Sequence, residues 1–495
     1  MKKIITIFSL YAILSLHGYT QTVFNKVYNP NNTTPRANTV IQTPDNGFLF
    51  AGYLNNGLKE CALKTNNVGD TLWSFIYDLG TGGGDYITSA INTSDGNYVL
   101  GGTTADISQM NSNAFLIKLD NNGDTIWIKK YGLANRSERC YSVKQTADGG
   151  FALCGLRYNV DSTGSPTESD LYLVKIDSLG NEQWERTYGG FDTDVGNSLE
   201  ITNEGGYMIF GYTYSFGIGL YNMYLVKTDS SGNFLWQKTY GGSLKDYGET
   251  VVKTTDGNFL IAGGTYITTD TVAGYIAKID TAGLIIWEKK YRGQITHEEF
   301  SAVKQLQNGE IMVSGDEQGD SLNYRYYGIL KKLDANGFAI WEKQYQYYGV
   351  DTTQHAFYAM DTCTDGGFVM AGITLDYRFG AINPISMWLV KTDCMGNDSI
   401  WDSVNCSLPV GVSEVVAKDI NDVLVYPNPA SNEIKIESKM QNAEIVIRDV
   451  LGQMVYSTKA IAASSTIDVS MLSKGVYFIS LQNGKQTINK KVVKE

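Results

Sequence analysis

Tryptophan recurs at near-even spacing along this chain, and that spacing constrains the fold more than any other feature. Trp73, Trp127, Trp184, Trp236, Trp287, Trp341 and Trp401 follow one another at gaps of 54, 57, 52, 51, 54 and 60 residues. Each sits in similar surroundings: an apolar run ending in Lys-x-Asp (Asn66 in the first copy), a glycine turn, the tryptophan, and in most copies a tyrosine four residues later. The eighth, Trp388, lies in the Lys-x-Asp strand of the last copy. A period of this length marks a propeller or another array of stacked units, none of which buries its apolar face alone.

The third copy serves as a template. Tyr141 to Thr146 alternates as a first strand (a). Asp148-Gly149 makes a tight turn, because that pair readily takes positive φ. Phe151 to Leu156 forms strand b, a polar loop runs from Arg157 to Asp170, Leu171 to Asp177 forms strand c, and Glu182 to Tyr188 forms strand d. Four short strands in a meander are one propeller blade. Strand c supplies Lys64, Lys118, Lys175, Lys227, Lys278, Lys332 and Lys391, so the expected fold is an all-β, seven-bladed β-propeller. Phe24 and Tyr28 repeat the strand d spacing near the N-terminus, whereas Trp401 is followed at plus four by Asn405. The strand around Phe24–Tyr28 is therefore expected to complete the last blade and remove an open edge; Trp401 would compete for that place or pack beside it.

A meander sorts its loops by end. Turns a–b and c–d share one end and are stereotyped, while connections b–c and d–a share the other end and vary. Variable loops on a rigid scaffold are where recognition is expected. Five acids recur there, before strand a: Asp85, Glu138, Asp194, Asp246 and Glu298, with Gln354 in the last copy. They form either an acidic ring for a cation or a hydroxylated ligand, or a set of side chains each capping its own loop. The strand d Trp, Lys and Tyr share one face and are expected to pack between neighbouring blades, with the lysine stem along the rings.

Composition narrows the class. The chain has 495 residues with 52 Gly, 33 Tyr and only 8 Pro, and a net charge of −12. That charge argues against nucleic acid held by phosphate neutralisation. Lys2 and Lys3 followed by the apolar run Ile4 to Leu16 read as a secretory signal spanning residues 1–20, with a cut between Thr20 and Gln21. No later segment is long and apolar enough to span a membrane. The six cysteines all follow the signal, so disulfides are allowed; Cys394 and Cys406 are the candidate pair, while Cys140 and Cys154 share a hairpin slightly out of register.

The repeat stops after Cys406. Residues 21–408 read as the propeller, 409–421 as a linker and 422–495 as a separate small β-sandwich of period-2 strands. The tail carries Tyr426-Pro427-Asn428-Pro429, a Gly452-Gln453 turn leading to Val455-Tyr456, the block Leu472…Gly475-Val476-Tyr477, and a lysine-rich close. In that order, and at the chain end, these motifs resemble the C-terminal sorting domain of the type IX secretion system of Bacteroidetes. The resemblance implies an immunoglobulin-like signal that directs cargo across the outer membrane, and the secretion machinery as a partner. The protein would then be secreted or held at the cell surface.

Chemistry is less legible. His17 lies in the signal, and His297 and His355 lack ligand-like spacing, which is the pattern of exposed loop histidines. No catalytic residue, metal site or cofactor motif emerges. The Asp120-Asn121-Asn122-Gly123-Asp124 turn lacks the later glutamate of a calcium loop. The turn-plus-Trp unit resembles the Asp-box of sialidase-like propellers, but its Trp falls one residue later than in that box. The leading expectation is a monomeric, non-enzymatic binding or structural module for an extracellular polysaccharide or protein. The alternative is a glycan-active hydrolase or lyase, which convergent acids or an arginine cluster in a central pocket would favour.

Overall fold

The computed structural model describes residues 21–399 and 423–494, except 31–32, 55–58, 78, 80–82, 106–111, 133–135, 161–165, 293–296, 321–324, 348–352, 377–384, 427–429, 439–443, 450–453, 460–463 and 483–486. All assigned elements are β-strands. The chain divides into two compact units, Met1–Leu408 and Pro409–Glu495.

In the first unit the strands form consecutive antiparallel meanders. Arg36–Gln42, Phe48–Leu54, Lys59–Thr65 and Thr71–Tyr77 are strands a to d of the first. Equivalent sets of four span 83–131, 138–188, 194–240, 246–291 and 298–345. The last set has Thr353–Thr362, Phe368–Asp376 and Ile385–Thr392, and its fourth strand comes from the other end of the unit. Phe24–Tyr28 pairs antiparallel with strand c there, Phe24 opposite Lys391 and Tyr28 opposite Met387. Trp401 lies outside the described residues. The a strands touch one another in sequence, and the a strand of the last meander touches that of the first. The innermost strands thus make a closed cycle.

Why the repeated residues are retained follows from what they touch. The strand c lysine turns back onto the a–b turn of its own meander, except Lys227, which donates to Thr281 O in the next meander. Lys64 reaches Asp45 at 2.8 Å, Lys175 reaches Asp148 at 2.8 Å and Lys391 reaches Asp365 at 2.9 Å. These ammonium groups are nearly buried, so the turn carboxylate offsets their desolvation. Burial opposes ionisation of Asp148, but the hydrogen bond from Lys175 and others from Thr146 and Gly150 hold its pKa down at about 2. Two residues after the lysine, the aspartate builds the c–d turn: Asp177 Oδ1 accepts from the backbone N–H of Leu179 at 2.9 Å and of Asn181 at 2.8 Å. Gly180, at φ 85°, supplies the left-handed residue that turn requires.

Strand d grips the next meander. Tyr131 donates its hydroxyl to Gly180 O at 3.0 Å, Tyr240 to Gly283 O at 2.8 Å and Tyr345 to Gly396 O at 2.6 Å. Tyr28 repeats the contact from the N-terminal strand, donating to Gly69 O at 2.7 Å in the first meander. Trp127 lies edge-on to Phe151 and Trp184 to Tyr207, at 6.2 and 5.9 Å, and Phe24 meets Phe48 the same way at 5.7 Å. Each latch therefore combines apolar burial with one hydrogen bond, the latter worth about 1 kcal/mol net. The Phe24–Tyr28 strand makes this contact across the junction between the chain's last and first meanders.

Some features depart from the sequence reading. In the third meander strands b and c extend to Val160 and from Pro166, pairing across part of the stretch read as loop. Cys140 and Cys154 face away from each other, Cys140 packing with Val99 and Leu116, Cys154 with Leu199 and Tyr207. Both are free thiols, as are Cys61 and Cys363. Cys394 is disulfide-bonded, and Cys406 lies outside the described residues.

The second unit has two sheets. Val423–Tyr426, Glu433–Ser438 and Ser464–Asp468 make one, in that order. Met454–Lys459, Glu444–Arg448, Gly475–Gln482 and Thr487–Lys494 make the other. They share an aliphatic core that includes Ile434, Ile436, Ile445, Ile447, Ile467, Ile479 and Leu481. Tyr477 lies in that core and donates its hydroxyl to Ser473 O at 2.8 Å.

Candidate functional site

Strand a carries the site, and a repeated bulge aims it. In every meander the register between strands a and b skips one residue: Asn38, Thr88, Tyr141, Asn197, Glu249, Ser301 and Tyr358. A bulge turns an extra side chain out of the ladder. Three positions earlier stands a buried residue, and two positions earlier stands a residue on the same face as the bulge. In chain order these second residues are Arg36, Tyr86, Arg139, Val195, Tyr247, Glu299 and Ala356.

The five predicted acids are the buried residues. Asp85, Glu138, Asp194 and Asp246 have no exposed surface and Glu298 has 1%. Each has partners in its own meander or in the connection leading into it, and Asp246 also accepts from Asn222 Nδ2 of the preceding meander at 3.3 Å. Asp85 accepts from Ala105 N–H at 2.8 Å, and Glu138 pairs with Arg157 at 3.0 Å. Asp194 accepts from Gly190 N–H at 2.7 Å and Ser215 Oγ at 2.8 Å. Asp246 accepts from Gly242 N–H at 2.7 Å and Thr265 Oγ1 at 2.5 Å, and Glu298 pairs with Lys331 at 2.5 Å. All five carboxylates thus have partners within the protein. The register also corrects the last copy: His355, not Gln354, holds the equivalent position. His355 is 1% exposed against Trp388, ring centroids 5.1 Å apart, and so is no exposed loop histidine.

The neighbours of those acids converge instead. Glu249, from the fifth meander, feels the charge of Glu299, from the sixth. Burial, then the Glu299 charge, pushes Glu249 up to about 8. Burial and Asp316 raise Glu299 to about 7, against the opposing charge of His297 and a hydrogen bond from Tyr247. His297 Nε2 lies 3.1 Å from Asp316 Oδ2 and 3.6 Å from Glu299 Oε2. Burial alone would lower the His297 pKa, but Asp316, Glu299 and Glu298 raise it. The Glu299 side chain is 21% exposed. Elsewhere the bulge residue clasps the next strand: Asn38 Nδ2 donates to Ile87 O at 2.9 Å, Thr88 Oγ1 to Cys140 O at 2.8 Å and Asn197 Nδ2 to Gly248 O at 2.9 Å. An ionised Glu249 has no proton for that clasp.

Tyrosines and two arginines complete the lining. The Arg36 guanidinium lies 4.0 Å over the Tyr358 ring, with Nη1 3.5 Å from Tyr53 Oη. Arg139 lies 5.6 Å over Tyr158 and hydrogen-bonds Tyr141. Burial and neighbouring charges push Tyr212 up to about 12, and its neighbours include both Arg139 and Glu249. Tyr358 likewise senses Arg36, Asp316 and Glu299. The group spans the meanders around the axis. One carboxylic acid beside one carboxylate at neutral pH can exchange a proton with a ligand, and the phenols offer both flat apolar faces and hydroxyls. The signal in the sequence was the residue after each acid, where strand alternation reverses the side chain; it was hidden because those residues are not alike.

Among the remaining predicted residues, Gln21 donates from Nε2 to Asp365 O at 2.6 Å, Tyr426 is 40% exposed and Gly475 opens its strand. Thr20, Pro427, Asn428 and Pro429 lie outside the described residues. No group of His, Cys, Asp or Glu able to hold a metal occurs among the described residues. No helix there is long and apolar enough to cross a membrane.

No curated protein matches the chain. Solved structures resemble it at low identity. One is a protein of unknown function from Bacteroides caccae, with 11% identity, a TM-score of 0.36, and coverage of 57% of this chain and 89% of that one. Another is PorZ, a surface component of the type IX secretion system of Porphyromonas gingivalis, with 9% identity, a TM-score of 0.26, and coverage of 93% and 81%. Puromycin hydrolase aligns at 11% identity and a TM-score of 0.43, over 73% of this chain and 52% of its own. The tail gives the family: residues 424–495 match the model described as the secretion system C-terminal sorting domain, and this segment is a type IX sorting domain.

Proposed function

We propose that this protein is a seven-bladed β-propeller, residues 21–408, exported through a Sec signal and the type IX system to the cell surface or medium. There it binds an extracellular polysaccharide at the tyrosine-lined end of its axis. Residues 422–495 would be an immunoglobulin-like domain that addresses the protein, joined by a linker at 409–421. The blade count is supported by the closed cycle of a strands and by the Tyr28 latch. The binding reading rests on one observation: polar and aromatic side chains stand at two positions of the a strands, which form a closed cycle, while the repeated acids beside them are held by protein partners. Convergent polar groups among aromatic walls are the general form of a ligand site.

A second reading, a hydrolase or lyase acting on glycans, is favoured by the Glu249–Glu299 pair, whose environments hold a proton between them near pH 7. Purified protein incubated with a glycan panel separates the two. Calorimetric binding without new reducing ends supports the binding module. Product formation that stops in Glu249→Gln or Glu299→Gln supports the enzyme. Neither binding nor turnover across the panel would remove both.

A further inference from the structure

We infer that Arg139, with Tyr86, Tyr141 and Tyr158, forms an anion subsite for the carboxylate or sulfate group of an acidic glycan. The inference deepens the polysaccharide reading and rests on it. Arg139 follows Glu138 in strand a of the third meander and so lies on the opposite face of the strand. Glu138 is taken by Arg157 at 3.0 Å, and Arg157 also pairs with Glu185. Arg139 pairs with no carboxylate among the described residues. Its neighbours are phenols: Tyr158 beneath the guanidinium at 5.6 Å, Tyr141 in hydrogen bond, and Tyr86 close by.

An enclosed guanidinium without a counter-ion is costly, and a chain with a net charge of −12 has carboxylates to spare. Here a planar fork of donors is left to a ligand, and a guanidinium matches a carboxylate or sulfate in shape as well as charge. Tyr212 borders both Arg139 and Glu249. Glu249 carries its proton at neutral pH and so does not repel an anion from that wall. Arg36, stacked on Tyr358, repeats the arrangement in the first meander, with its Nε–H buried and unpartnered among the described residues. The two arginines give an acidic chain of sugars two places for its charges.

The test uses the full chain and three probes of equal length: oligogalacturonate, a sulfated galactan oligosaccharide and a neutral galacto-oligosaccharide. Isothermal calorimetry should find one of the two anionic probes bound more tightly than the neutral one, identifying carboxylate or sulfate as the source. Its affinity should fall as salt rises. Arg139→Gln should weaken it roughly ten- to a hundredfold, the range for a hydrogen bond to a charged group, and leave neutral binding alone. Arg139→Lys should fall between, keeping charge without the fork. Equal affinity for neutral and anionic probes, or an unchanged affinity in a folded Arg139→Gln protein, would overturn the subsite while leaving the polysaccharide reading intact. Binding of none of the three would overturn both. Should the glutamine variant fail to fold, the probe preference and salt dependence of the wild type decide.

Discussion

The coupled glutamates make a stability prediction that is independent of any ligand. In the unfolded chain both carboxyls titrate near 4.5; in the folded protein Glu299 holds its proton to about 7 and Glu249 to about 8. Above pH 4.5 the unfolded state therefore binds fewer protons than the native one, and stability falls as pH rises, until the folded groups have also ionised. For Glu249 alone the penalty at pH 7 is about 3 kcal/mol, from the distance between 4.5 and pH 7, at which the folded group, titrating at about 8, still holds its proton. Glu249→Gln removes the charge, keeps the shape, and adds an amide N–H for the clasp to the neighbouring carbonyl that Asn197 makes. The variant should match wild type at pH 5, where the wild-type glutamate is already neutral. It should gain on the order of 3 kcal/mol by pH 8 and melt a few degrees higher. Groups facing the pair, Asp316, His297 and Tyr247, remain in both proteins and cancel in the difference. Denaturant melts from pH 5 to 8 measure this directly. Parallel pH profiles, or a variant less stable at pH 8, would refute the reasoning that the pair is enclosed and coupled.

Other predictions concern the architecture and the tail. Deleting residues 21–30 removes the Phe24–Tyr28 strand and the Tyr28 latch; the melting temperature should drop sharply and the open edge should drive association, seen by light scattering. Gly232→Ala should cost roughly 1–3 kcal/mol in a chemical melt, since φ is 77° and the new Cβ would lie 2.5 Å from the Trp184 ring. Non-reducing peptide mapping should link Cys394 to Cys406, because Cys61, Cys140, Cys154 and Cys363 are free; a different partner would contradict the pairing. Deleting 422–495 should leave the protein in the periplasm on cell fractionation, and normal export would remove the tail's assigned role.

Much of the scaffold was legible because its residues act within a repeat. The strand c lysine meets its own a–b turn, the turn aspartate caps its own backbone, and the strand d Trp and Tyr meet the next copy of the same turn. Identical surroundings select identical residues, so the period appears in the sequence. The N-terminal strand was legible for the same reason: Phe24 and Tyr28 make the contacts of a strand d Trp and Tyr, Phe48 and Gly69 being their partners. What escaped was register. The bulge in strand a is invisible in a pattern of apolar residues, and without it Gln354 rather than His355 takes the acid's place.

The same logic explains why the eye-catching acids and the candidate site parted. A ring of residues around an axis meets one ligand, not many copies of it, so its members have no reason to match. Asp85, Glu138, Asp194, Asp246 and Glu298 are alike because each solves a local problem: a buried loop with backbone N–H groups or a cation to satisfy. One strand position further on, the side chain crosses from the interface between meanders to the axis, and similarity ends. Arg36, Tyr86, Arg139, Tyr247 and Glu299 then differ meander by meander, cations on the first and third, phenols on the second and fifth and an acid on the sixth. The bulge position two residues later varies as well, a simple donor to the next strand in Asn38, Thr88 and Asn197 and an acid in Glu249. Departure from the repeat at a position the fold can fill with a simple donor is what the proposed ligand site rests on, and ligand binding left unchanged by Glu249→Gln and Arg139→Gln together would remove that support.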